Sequence, residues 1–259
     1  MKPPEIVSLA VKVAAQGVNT IVLQSGDDFY YTQEFLCKII SEIKKKTNAA
    51  VTLSIGERPL DEYQAFKDSG ADRYLLRHET LNPALYRILH PNQNLKHRLK
   101  ILEQLKKIGF QVGSGCIVGL PNQSIKDLAG DVMFLKEIDV DMAGIGPFIP
   151  QKDTPLANHP PGDLDLTLKI LAMARILTKN AHLPATTALA SLDKKNGYLR
   201  ALKSGANVIM PVFTPPDHQK NYRIYDNKIG LNLKKAREII SNAGRTISPG
   251  RGDSLKKRS

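Results

Sequence analysis

Residues 72–80 read DRYLLRHET: an apolar run, Tyr74, Leu75 and Leu76, entered through Asp72 and Arg73 and left through Arg77, His78, Glu79 and Thr80. Such a run is a buried strand, and polar residues at its carboxyl end stand where a parallel α/β protein keeps its chemistry. The signature recurs along the chain. With 73–76, runs at 18–23, 50–55, 110–118, 141–146, 183–188 and 207–210 give seven predicted strands. Helical patterns separate them at 3–17, from Thr32 onward, and at 60–68, 95–107, 125–138, 166–177 and 193–203. In the first, Ile6, Leu9, Ala10, Val13 and Ala14 share one face, and in the second Phe35, Leu36, Ile39, Ile40 and Ile43 do. Helices between successive strands require crossover connections and therefore a parallel sheet.

The chain enters on a helix, so the count is best met by a (β/α)8 barrel of the TIM type, incomplete, with the first strand missing and seven strands present; an open parallel sheet is the alternative. Residues 1–230 are assigned to this barrel and 231–259 to a C-terminal helix with a basic tail. After Gly244 the sequence RTISPGRGDSLKKRS has little apolar content and is expected to fray. Losing a strand would leave open edges, so the chain is expected to be poorly soluble or to dimerise along that seam.

Composition narrows the function classes. At 259 residues and 42% hydrophobic, the chain can bury a sizeable core, and a single barrel of about 250 residues fits its length. Cys37 and Cys116 stand far apart with no second cysteine near either, which rules out a disulfide framework or zinc spacing and suits a reducing cytoplasm. No apolar stretch reaches the ~18 residues of a membrane span. The net charge of +12 raises the question of nucleic acid. Half of it lies in residues 231–259, with eight basic and two acidic side chains, so it reads as a tail effect and no nucleic-acid or membrane partner is expected.

At the strand ends, Gln24, Ser25, Thr52, Ser54, Arg77, Glu79, Ser114, Cys116, Met142, Thr186, Thr187 and Met210 fall where side chains point into a barrel's mouth or upper layers. Charges there cannot be buried unpaired, so Arg73, Arg77 and Glu79 either pair with one another or face a charged ligand. His78 has no second histidine at ligand spacing and reads as an orienting or packing residue. The glycines near 113–119 and at 144 and 146 do not form a GxGxxG turn opening a helix, so they mark close backbone approach and no nucleotide fingerprint. Arg251-Gly252-Asp253 carries no adhesion meaning.

Seven runs in order, IVLQSG (21–26), VTLSIGE (51–57), RYLLRHET (73–80), VGLPNQS (118–124), GIGPFIP (144–150), ATTA (185–188) and GANVIMP (205–211), resemble the HydE family, the radical S-adenosylmethionine maturases of FeFe-hydrogenase. The resemblance extends from residue 1 to about 228. It implies a barrel whose mouth holds S-adenosylmethionine against a 4Fe-4S cluster bound by a CxxxCxxC loop. That loop belongs between the family's first strand and first helix, and neither Cys37 nor Cys116 matches it. The second cysteine group that some members carry near the carboxyl end is also missing, since 229–234 reads IGLNLK.

By the resemblance, Glu79 accepts from the cofactor's ammonium or ribose, and Arg98 pairs with its carboxylate. Gln24, Ser25, Thr52 and Ser54 become wall residues, Met142 an apolar contact and Tyr222 a cap. For Ser25 and Thr52, satisfaction by the strand backbone competes with ligand contact and is preferred. Deeper in the cavity, Arg73, Arg77, Thr186, Thr187 and Met210 match positions for a small anionic, sulfur-containing substrate. The implied function is hydrogenase H-cluster maturation, with other maturation proteins as partners, carried by a fragment inactive alone because no metal ligands are present. The alternatives are a biotin-synthase-like or methylornithine-synthase-like radical enzyme, or a non-redox small-molecule binding barrel.

Overall fold

The computed structural model describes residues 1–219 and 230–256. In chain order the first elements are α1 (Pro3–Ala15), β1 (Thr20–Gln24), α2 (Gln33–Lys46), β2 (Ala50–Ser54), α3 (Leu60–Asp68), β3 (Arg73–Leu75), α4 (Pro83–Leu89), α5 (Leu95–Ile108) and β4 (Gln111–Ser114). Then come β5 (Ile117–Val118), α6 (Ile125–Glu137), β6 (Met142–Ala143), β7 (Gly146–Pro147), α7 (Leu164–Thr178), α8 (Thr187–Leu192), α9 (Gly197–Lys203), α10 (Pro216–Gln219) and α11 (Leu233–Asn242). The chain divides into two compact units: Met1–Leu76, Lys96–Gly113 and Ser248–Ser259 form one, and Arg77–Leu95 and Ser114–Ile247 form the other.

In the first unit the four strands lie in the order β1-β2-β3-β4, all parallel, as the helical crossovers require. Register sets two faces of different character. Val22 aligns with Thr52, Gln24 with Ser54, and Thr52 with Arg73, so these side chains share one face. The alternate residues Ile21, Val51, Leu53, Tyr74 and Val112 are buried on the other, with Leu36, Ile39, Ile40 and Ile43 of α2 also in the core. Tyr63, Tyr74 and Phe110 meet edge to face at 5.1 and 5.8 Å, and Tyr74 Oη donates to Gly56 O at 2.7 Å. Burial pushes the Tyr63 phenol up to about 12.

The expectation that the tail frays does not hold for residues 249–253. Asn19 and Thr20 donate from their side chains to Pro249 O and Arg251 O, Arg251 pairs with Asp72 at 2.7 Å, and Arg73 donates to Arg251 O, Gly252 O and Asp253. A segment poor in apolar residues is ordered here by charge and backbone acceptors, which hydrophobic patterning does not register. Arg251 holds the Asp253 carboxyl down to about 2, and Arg251 itself is raised by the same contact.

The second unit departs from the predicted strands in a consistent way. The run 110–118 is split into β4 and β5 at Gly115, and 141–146 into β6 and β7 at Gly144; a Cβ on Gly115 would lie 1.9 Å from Gly144 O. Strands that approach so closely cannot both keep a regular ladder. β5 pairs parallel with β7, and isolated parallel bridges join Glu79 to Cys116, Met142 to His182 and Pro184 to Val208. The predicted strands at 183–188 and 207–210 are reduced to that last bridge. Pro184 has no N–H for the ladder, and Thr186 caps α8, accepting from Leu189 N at 3.3 Å. The helix predicted at 193–203 begins only at Gly197, because Asp193 folds back to accept from Lys195 N and Asn196 N. Leu128, Val132 and Leu135 of α6 and Leu168, Leu171 and Ala174 of α7 form this unit's core with Ile145, Leu183 and Ala201.

Candidate functional site

The first unit carries Gln24, Ser25, Thr52, Ser54, Arg73 and Arg98. Gln24 and Ser54 sit side by side at the carboxyl ends of β1 and β2, with Thr52 one pleat below. Thr52 is almost wholly buried and its Oγ1 has no hydrogen-bond partner, so the backbone-satisfied reading fails for it. The Ser25 hydroxyl, just past β1, donates to Gly26 O at 3.0 Å. Arg73 lies on the same face as Thr52 and level with it, but its side chain turns toward the strands' amino ends. Its guanidinium reaches Thr20 and Gln111, the first residues of β1 and β4, and Asp253 at 3.2 Å. Its charge is met by the tail at the strands' amino ends, which corrects its placement among the substrate contacts deeper in the cavity. Burial lowers its basicity.

Arg98 is 4% exposed on α5, and its Nε donates to Glu57 Oε1 at 2.8 Å. Glu57 stands just past β2, and its own amide donates to Asp27 Oδ1 at 2.8 Å. The sequence offered no role for Glu57, although a charge placed three residues beyond a buried strand is a signal of the same kind as Glu79.

In the second unit the chain past β3 makes a tight, buried excursion. Glu79 has φ +64, a left-handed conformation costly for a side chain of its size. Its amide donates to Gly115 O at 3.0 Å and its carbonyl accepts from Ile117 N at 2.9 Å. Glu79 Oε1 pairs with Arg77 at 3.2 Å, while Oε2 is buried with no hydrogen-bond partner. Of the two alternatives for the charged group, Arg77 and Glu79 therefore pair with each other, and one carboxylate oxygen is left over. The glycines of GIG make room around them: a Cβ on Gly144 would stand 3.3 Å from Arg77 Cδ, and one on Gly146 3.2 Å from Thr186 Oγ1.

Thr187 opens α8 behind the Thr186 cap, Met142 is half-buried on β6, and Met210 is exposed beyond the Val208 bridge. Tyr222 lies outside the described residues. Beneath Glu79, burial raises the Cys116 thiol well above its ordinary range, so it is held as an unreactive thiol. Sequence reasoning missed Asp131 and read Ser114 only as a strand-end position; both are fully buried at hydrogen-bonding distance from the 78–81 backbone. Asp131 did leave a trace: it falls on the apolar stripe Leu128, Val132, Leu135 of α6, where an acid is costly without partners.

The sequence model of the radical SAM superfamily matches residues 1–135. The chain belongs to the radical SAM superfamily. Among its relatives is the FeFe hydrogenase maturase subunit HydE of Thermotoga maritima, 51% identical over 229 residues, which are 88% of this chain and 65% of that protein. The chain thus spans just under two thirds of that relative's length. Biotin synthase of Thermotoga neapolitana is 33% identical over 66% of this chain and 61% of its own. Among solved structures, methylornithine synthase superposes with a TM-score of 0.82 at 23% identity, covering 95% of this chain and 73% of the other, so the chain has the radical SAM fold.

Superfamily membership implies S-adenosylmethionine and a 4Fe-4S cluster, and the two fit this chain differently. In the second unit, the buried Glu79 Oε2, which has no hydrogen-bond partner, suits a donor such as the cofactor's ammonium or ribose. The cluster does not fit: the chain has two cysteines, one of them Cys116, and no group of three or more His, Cys, Asp or Glu able to hold a metal occurs among the described residues. No helix among the described residues is long and apolar enough to cross a membrane.

Proposed function

We propose that this chain is the S-adenosylmethionine-binding and substrate-binding part of a radical enzyme of the hydrogenase H-cluster maturation type. The observation that carries the reading is the 51% identity to HydE. At 23% identity the methylornithine synthase likeness speaks for the fold alone. Bound S-adenosylmethionine supplies a sulfonium that yields a radical on one-electron reduction. This chain's residues bind and orient it. Glu79 Oε2 accepts from the ammonium or ribose, Arg98, held by Glu57 at Nε, faces the carboxylate, and Gln24, Ser25, Thr52, Ser54, Met142 and Tyr222 line the cofactor.

Arg77, Thr186, Thr187 and Met210 take the small anionic, sulfur-containing substrate, since guanidinium and hydroxyl donors over bare glycine backbone suit a carboxylate. Other hydrogenase maturation proteins are the partners, and the cytoplasm, where two free thiols persist, is the compartment. Calorimetric titration tests the division of roles. Arg98→Lys keeps a charge for Glu57 but loses the planar fork, and should weaken S-adenosylmethionine by about 1.5 kcal/mol, while Thr187→Ala leaves that affinity nearly unchanged. For a small anionic thioether or thiazolidine the order inverts. Equal loss of both ligands in both variants would refute the assignment. After anaerobic reconstitution with iron and sulfide, the 259 residues alone should give no 5′-deoxyadenosine, because two distant thiols cannot enclose four irons.

A further inference from the structure

Three fully buried polar side chains of the second unit surround the turn that carries Glu79. Ser114 Oγ accepts from His78 N at 3.2 Å, one residue before Glu79, and Asp131 Oδ1 accepts from Leu81 N at 2.6 Å, two residues after it. The His78 imidazole spans the gap between these acceptors, with Nδ1 2.9 Å from Ser114 Oγ and Nε2 3.5 Å from Asp131 Oδ1. Its ring packs edge-on against Phe134, 5.0 Å between centroids. A serine, a histidine and an aspartate so connected would suggest a nucleophilic triad, but His78, Ser114 and Asp131 are each 0% exposed, so no substrate reaches the hydroxyl.

The backbone at Glu79 explains what the trio does. A glutamate at φ +64 persists only where its surroundings over-determine it. The ladder contacts to Gly115 and Ile117 fix Glu79 itself, yet on a short turn the carboxylate's aim also depends on the peptides on either side. Ser114 and Asp131 hold the next peptides outward, 77–78 and 80–81, and the His78 ring lies between the two acceptors. The arrangement is expensive: His78 Nε2 and Asp131 Oδ2 are buried without a hydrogen-bond partner, a cost an apolar core would avoid.

We propose that His78, Ser114 and Asp131 are positioning residues that aim the free oxygen of Glu79 at its ligand. This rests on the reading above that Glu79 contacts S-adenosylmethionine. The Ser114 hydroxyl, whose Oγ accepts from His78 N, donates to Nδ1 at 2.9 Å, which leaves Nε2 on the Asp131 side, 3.5 Å from Oδ1 and outside hydrogen-bond geometry.

A double-mutant cycle on the 259-residue chain, titrated with S-adenosylmethionine, is the test. Glu79→Gln should weaken binding about tenfold. Ser114→Ala, which removes one buried atom and opens little space, should weaken it about fivefold with Glu79 present and less than about twofold in the Glu79→Gln background. In parallel, the His78 ring nitrogens should show one tautomer by NMR, lost in Ser114→Ala. If Ser114→Ala costs the same in both backgrounds, the trio merely holds the fold and the proposal falls while the cofactor reading stands. If Glu79→Gln changes nothing, or the chain does not bind S-adenosylmethionine, the cofactor reading itself falls and takes this proposal with it.

Discussion

At the residue scale the chain keeps its unusual features at the ends of strands. Glu57 follows β2 and Glu79 follows β3, and each meets an arginine, Arg98 and Arg77, at 2.8 and 3.2 Å. The Glu57–Arg98 pair is the more enclosed, and breaking one side of such a pair leaves a charge buried without compensation. Glu57→Ala should therefore destabilise the protein by about 3 kcal/mol, read by urea denaturation. A loss below about 1 kcal/mol would mean that solvent reaches Arg98 and that the pair is of the weak surface kind. Glu79, Thr186 and Thr187 were legible as site candidates because charge or hydroxyl stands where a strand pattern ends, whereas Arg98, on α5, was named only through the resemblance. Their partners were not. Ser114 was visible only as a strand-end position, and the contacts that give Ser114, Asp131 and Glu57 their roles span 36, 50 and 41 residues of sequence, which no local pattern encodes.

At the element scale, helices were easier to read than strands. The stripes of α5 and α6 match the predicted spans closely because a 3.6-residue period over three or more turns is a long signal. Strands of two residues such as β5, β6 and β7 offer no period at all, and close glycine contacts, not hydrophobicity, decide where they break. Residues 248–256 were misread for the opposite reason: they order through hydrogen bonds at the amino ends of β1, β3 and β4 and through the ion pairs of Arg73 with Asp253 and Arg251 with Asp72. These contacts make a pH prediction. The Asp253 carboxyl is held at about 2, below the unfolded value of 3.8, so its contribution is full above the unfolded value and lost as pH falls through the folded one. Asp72, held low by Val51 N, Lys44 and Arg251 against the opposing effect of burial, acts in the same sense. Asp253→Asn should lower the melting temperature at about pH 6, and the difference from the parent should close by about pH 2. A difference independent of pH would show that the tail docks through its backbone acceptors alone.

For the whole molecule, two effects oppose each other in setting how the chain behaves in solution. β1 ends the strand order of its sheet and pairs with β2 alone among the described strands, and Val22 at its centre is 39% exposed. A parallel strand with an open edge and an exposed β-branched residue is a template for another chain. Against this stands a net charge of +12, which repels like copies at long range. The Debye length falls from about 10 Å at 0.1 M salt to about 3 Å at 1 M, so salt removes the repulsion and leaves the edge. The chain should accordingly dimerise or aggregate more as salt rises, the reverse of an assembly held by ion pairs. Val22→Lys places a charge on the edge strand itself and should suppress association at every salt concentration without changing the fold. Sedimentation of both proteins at low and high salt decides it: a parent chain that stays a monodisperse monomer at 1 M salt would show that the β1 edge is not an association surface.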